Sequence, residues 1–149
     1  MQLQPYLFFD GRCEEAIEFY KRTVGAEVIN LIRFKDSPQP PIGMAPGSEN
    51  KVMHVALKIG DNLIMASDGA NTGATNFHGF SLALSVKTPA EAERIFKVLA
   101  EGGQVRQPLS ETFFSPKFGM LADKFGLGWM VMAERAESGT GEQQARKTA

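Results

Sequence analysis

The chain repeats itself. Residues 51–68 lie over residues 117–134 without a gap, placing Lys51 on Lys117, Ala56 on Ala122, Lys58 on Lys124, Gly60 on Gly126 and Met65 on Val131. Upstream of each copy a helical segment repeats too, with Glu15-Ala16 over Glu91-Ala92 and Lys21 over Lys97. A small sheet with a single helix leaves one face uncovered, so a duplicated unit of this kind pairs with its copy, and dimerisation can extend the arrangement. The competing explanation is chance similarity between two amphipathic α+β segments. The repeat predicts an α+β fold of two paired βαβββ modules. One domain is expected over 1–134, with modules at 1–68 and 77–134 joined by a linker at 69–76. The remainder, 135–149, has no large apolar residue and is expected to be disordered.

Periodicity fills in the elements. Leu3, Pro5, Leu7 and Phe9 alternate with Tyr6 and Phe8, the pattern of a strand apolar on both faces. Cys13, Ile17, Tyr20 and Val24 then form a helical stripe, with Glu14 and Glu15 at the favourable end of the dipole and Gly25 as C-cap. A strand is expected over 26–34, a proline-rich loop over 36–50, and a hairpin of 51–59 and 62–68 around Gly60-Asp61. A strand over 78–86 precedes Thr88-Pro89-Ala90-Glu91, a capping box with proline at the first helical position. The stripe Ala92, Ile95, Phe96 and Leu99 ends at Gly102-Gly103. A short strand over 104–107 and a hairpin of 118–124 and 128–133 around Phe125-Gly126 complete the second half.

Composition excludes several classes of function. With 16 Lys and Arg against 17 Asp and Glu the net charge is -1, which gives no electrostatic reason for a nucleic-acid or membrane partner. There is no apolar run of membrane-spanning length and no basic segment leading into an apolar one, so a cytoplasmic location is expected. The single cysteine, Cys13, rules out an internal disulfide framework. No glycine-rich phosphate loop follows a strand and opens a helix, because Gly126-Leu127-Gly128 falls within a hairpin.

Three stretches in order carry a family resemblance: residues 5–20, from Pro5-Tyr6-Leu7 to Phe19-Tyr20; Val52-Met53-His54 through Ile64-Met65-Ala66-Ser67-Asp68; and Asp123-Lys124-Phe125-Gly126-Leu127-Gly128-Trp129. Over 1–134 the chain resembles the vicinal-oxygen-chelate superfamily of glyoxalase I, extradiol dioxygenases and bleomycin-resistance proteins. Within it the chain is similar to the PhnB-like group, which shares a 3-demethylubiquinone methyltransferase-like label. The resemblance implies sheets curled into an open cup. In metal-dependent members, inward strand positions supply His, Gln or Glu to a divalent ion. The matching positions here are Pro5, Ile64 or Met65, Ser81 and Met130. Pro and Ile have no donor side chain, Met is a soft ligand and a lone Ser is weak, short of the two or three O or N ligands such an ion needs, so no metal or other cofactor is expected there. The methyltransferase label finds no cofactor motif.

Two histidines are present, His54 and His78. His54, on a strand, is a candidate general base or a hydrogen-bonded structural residue. Asp68, at a strand end before a glycine, is a candidate carboxylate at the mouth of the cup or a turn former. His78 reads as a loop histidine, and with His54 and Asp68 it defines the alternative of a relocated metal site. Cys13 lies where a helix dipole lowers a thiol's pKa, yet it begins the apolar stripe, which favours burial. Phe113, Phe114, Phe118, Phe125 and Trp129 crowd the last third. Lys117 among them offers a cationic handle for an anionic head group if it points inward. The expected pocket is Pro5, Met65, Ser81, Lys117, Trp129 and Met130. Two functions stand side by side: a homodimeric protein binding a small organic molecule without metal; or a metal-dependent lyase, isomerase or dioxygenase-like enzyme with a relocated site.

Overall fold

Each half of the chain lays down a strand, crosses over through a helix, and returns as three antiparallel strands. In the computed structural model, which describes residues 1–38, 46–71 and 74–136, the first half contains β1 (Tyr6–Phe8), α1 (Cys13–Val24), β2 (Glu27–Arg33), β3 (Val52–Ile59) and β4 (Asn62–Ser67). The second contains β5 (Leu82–Val86), α2 (Pro89–Leu99), β6 (Gln104–Ser110), β7 (Phe118–Ala122) and β8 (Gly128–Ala133). The sheets have the same connectivity, β1-β4-β3-β2 and β5-β8-β7-β6, with the first strand parallel to the last in each. The bounds of β4 fall on those of β8 in the ungapped match, and Glu15 and Glu91 are each the third residue of their helix. The fold is α+β, built from two βαβββ units.

The helices bury the stripes their spacing marks. Cys13, Ile17 and Tyr20 of α1 and Ala92, Ile95, Phe96 and Leu99 of α2 are all buried. Both units feed one core: Phe9 stacks edge-on against Phe125 at 5.6 Å, and Tyr20 lies 5.7 Å from Trp129. Gly25 closes α1 in the left-handed region at φ 68°, its N–H donating to the Tyr20 carbonyl. Thr88 Oγ1 accepts from the Glu91 N–H at 3.2 Å and caps α2, as the capping box predicts.

Several boundaries differ from expectation for identifiable reasons. β1 starts at Tyr6 because Pro5 has no N–H for the ladder, and Leu3 is 98% exposed. β5 starts at Leu82, not at 78, because its partner β8 begins at Gly128. β6 runs past Pro108 to Ser110: it is an edge strand, its ladder shifts register there, and proline is tolerated at such a position. β7 stops at Ala122 because Asp123 turns the chain, its Oδ1 accepting from the Phe125 and Leu127 N–H groups. Short 3-10 turns stand at either end of the proline-rich loop, Phe34–Asp36 where the preceding strand ends and Ser48–Asn50 before β3. The loop's middle, part of the linker, and the end of the chain lie outside the described residues.

Candidate functional site

Where the two units meet, a cleft of about 530 Å³ opens between the N-terminal segment, the β3–β4 hairpin and β5. Its walls are largely apolar, including Pro5, Ile64, Leu63, Leu82 and Leu84, with Trp129 also contributing. Trp129 is fixed from behind. Its Nε1 donates to Asp123 Oδ2 at 2.9 Å, and the Tyr20 hydroxyl donates to the same oxygen at 2.5 Å. Asp123 is only 3% exposed, and burial raises its carboxyl above the usual range while the four donors on it pull the other way. The network spans both units, because Tyr20 belongs to α1 and Asp123 and Trp129 to the last hairpin.

The expected pocket residues separate. Pro5 and Trp129 line the cleft, as does Ile64, whereas Met65 is not among the lining residues and alternates with Ile64 along β4. Ser81, Lys117 and Met130 do not line it either. Ser81 lies beside Gly128, where its Oγ stands 2.7 Å from the place a Cβ would occupy. Met130 is half-buried in the second sheet between Ala83 and Met120. Lys117 pairs with Glu93 of α2 at 3.2 Å, so the cationic handle is engaged elsewhere.

The candidate catalytic residues lie apart from one another in role. Asp68 is 1% exposed and meets backbone donors only: Oδ1 accepts from the Gly11 and Cys13 N–H groups at 2.9 and 2.8 Å, and Oδ2 from Val52 N–H at 2.7 Å. It ties the start of α1 to β3. His54 lies on the open face of the first sheet, its Nδ1 2.9 Å from the Tyr6 hydroxyl and its ring 5.6 Å from the Tyr6 ring. Burial raises the Tyr6 phenol above its ordinary value. Phe8 extends this row at 5.2 Å from Tyr6. His78 is exposed. Among the described residues no three His, Cys, Asp or Glu side chains come together to hold a metal ion, so the relocated site is not assembled from them. Of the positions the resemblance assigns to a metal, Pro5, Ile64, Met65 and Met130 bring no hard O or N donor and Ser81 a single hydroxyl, a donor set too small to hold such an ion.

Sequence reasoning missed Asp61, Ile59, Leu82 and Leu84 in the cleft and the anchoring role of Asp123. The cleft residues carry no local signal, because the wall forms only when one unit's hairpin faces the other unit's first strand. The position of Asp123 within an aromatic-rich stretch was available as a signal: a carboxylate there needs donors, and Trp129 supplies one.

Comparisons with known proteins agree with this architecture. Residues 1–132 match the family described as 3-demethylubiquinone-9 3-methyltransferase. Protein YjdN of Escherichia coli strain K12 is 36% identical over 139 residues, covering 88% of this chain and 94% of YjdN. Protein PA1353 from Pseudomonas aeruginosa superposes with a TM-score of 0.79 at 41% identity, over 90% of this chain and 98% of that one. The PhnB protein from Bacillus cereus gives a TM-score of 0.74 at 29% identity, over 89% and 99%. The chain therefore belongs to this PhnB-like family, on the paired-βαβββ fold shared with glyoxalase-related and fosfomycin-resistance proteins.

Proposed function

We propose that this protein binds a small, largely apolar organic molecule in the cleft between its two units, without recruiting the superfamily's metal. The observation that carries the reading is the cleft itself, about 530 Å³ and walled mainly by Leu, Ile, Pro and Trp side chains. That size and lining are those of small-molecule sites. Pro5, Ile64 or Met65 and Met130 offer no hard O or N donor and Ser81 only a single hydroxyl, which supports a site that works by burial and shape. We further propose that the protein is a cytoplasmic homodimer. Tyr6 at 39% and Phe8 at 55% exposure, with Ile29 and Phe113, leave apolar surface that a second copy would cover. Light scattering is expected to report about twice 16.3 kDa, and a clean monomer at micromolar concentration would refute the dimer.

Binding is testable with the one tryptophan in the chain as reporter. Adding 3-cyclohexylpropanol is expected to shift Trp129 emission and raise the melting temperature. Leu63→Glu, at a partly exposed position of the wall, should weaken that binding about fivefold or more, from the loss of roughly 1 kcal/mol of apolar contact. No emission or melting shift at millimolar probe, or equal affinity in the variant, would reject the cleft as the site.

A further inference from the structure

The cleft's lining carries a single charge. Among the described residues that line it, Asp61 is the only ionisable side chain, while Gln2, Gln4 and Asn62 are neutral amides and the remainder is apolar. Asp61 is exposed in the two-residue turn between β3 and β4. Among the described residues no Lys, Arg or His lines the cleft beside it: Lys58 of β3 is exposed and is not part of the lining, and Lys117 is paired with Glu93. Resting on the reading of this cleft as the binding site, we propose that its occupant is an apolar organic cation, an alkyl- or arylalkylamine, in preference to a carboxylate or phosphonate.

Two features of the wall favour a positive head group. The Asp61 carboxylate, exposed at the edge of apolar walls, attracts an ammonium with the modest strength of a surface ion pair. The Trp129 indole is 2% exposed and its N–H is committed to Asp123, so it offers an anionic head group no hydrogen-bond donor. An anionic head would meet the Asp61 carboxylate with no lining cation to compensate. The neutral amides can orient either kind of head group and do not discriminate between them.

The test uses three probes with one apolar body: 3-cyclohexylpropylamine, 3-cyclohexylpropanol and 3-cyclohexylpropanoate, titrated by calorimetry at pH 7 into the native protein and into Asp61→Asn. Asparagine is well tolerated in turns, so the variant keeps the hairpin. The amine is expected to bind about two- to fivefold more tightly than the alcohol, the range for a solvent-exposed ion pair, and the carboxylate more weakly than either. In Asp61→Asn the three affinities should converge. Equal binding of amine and carboxylate by the native protein, or a preference that survives in Asp61→Asn, would overturn the inference and leave the cleft as a neutral apolar site. Failure of all three probes to bind would reject the cleft reading and the inference with it.

Discussion

Cys13 shows how two physical effects compete at one residue. Its place in the first turn of a helix lowers a thiol's pKa, but the side chain is fully buried. Burial wins and raises the pKa well above the ordinary thiol value, with the Asp68 and Glu14 carboxylates pushing the same way. The thiol therefore stays protonated and inert in the native state. A disulfide reagent at pH 8 is expected to modify it more slowly than in denaturant by roughly two orders of magnitude, since attack requires opening of the core. Labelling at the unfolded rate would show that Cys13 is accessible.

The two helices start by different means. Thr88 caps α2 from the adjoining residue, whereas Arg12 at the start of α1 makes no side-chain cap bond. Asp68, from the end of β4, accepts from the Cys13 and Gly11 N–H groups instead and holds Val52 with its other oxygen. Thr88→Ala is expected to cost about 1 kcal/mol, the usual loss for a cap. Asp68→Ala leaves three backbone donors without this acceptor and should cost roughly 3 kcal/mol or more. Chemical denaturation of both variants checks the order, and an Asp68→Ala cost no greater than that of Thr88→Ala would remove its assigned role. The contrast also explains what could be read beforehand. The bounds of α1 and the start of α2 follow from local spacing and the capping box, while Asp68 is 55 residues from Cys13 and carries no mark of its task.

At the scale of the molecule, the two units are joined by the Tyr20–Asp123–Trp129 network inside and by Glu15 outside. Glu15 of α1 pairs with Arg12 at 2.9 Å and reaches across to Lys124 at 2.8 Å. Its hydrogen bonds to Arg12 and Lys124 hold its carboxyl down to about 2, below its ordinary 4.5. A depressed folded-state pKa means stability that is present above 4.5 and lost as pH falls toward 2. Glu15→Gln should therefore flatten that part of the pH–stability curve, by less than about 1 kcal/mol because the pair is solvent-exposed. Asp123 works in the opposite sense. Its raised carboxyl penalises the folded state at neutral pH, and the penalty is relieved as pH falls through the folded-state value. An unchanged acid limb in Glu15→Gln, followed by circular dichroism between pH 5 and 2, would show that the cross-unit pair contributes nothing.

The repeat, the helical stripes and the turn residues Gly25 and Gly60-Asp61 were enough to determine the order of elements and the paired-unit architecture, because each depends on contacts within a few residues or on a period along the chain. The site obeyed no such period. Pro5 and Trp129 line the cleft and could be named in advance, but Lys117 turns to Glu93, Asp68 is consumed by backbone donors, and Asp61 enters the wall from a turn. Those outcomes depend on how one unit's hairpin faces the other unit's strands. Side chains far apart in sequence acquire partners only when the shared core forms, and only the tertiary structure could decide them.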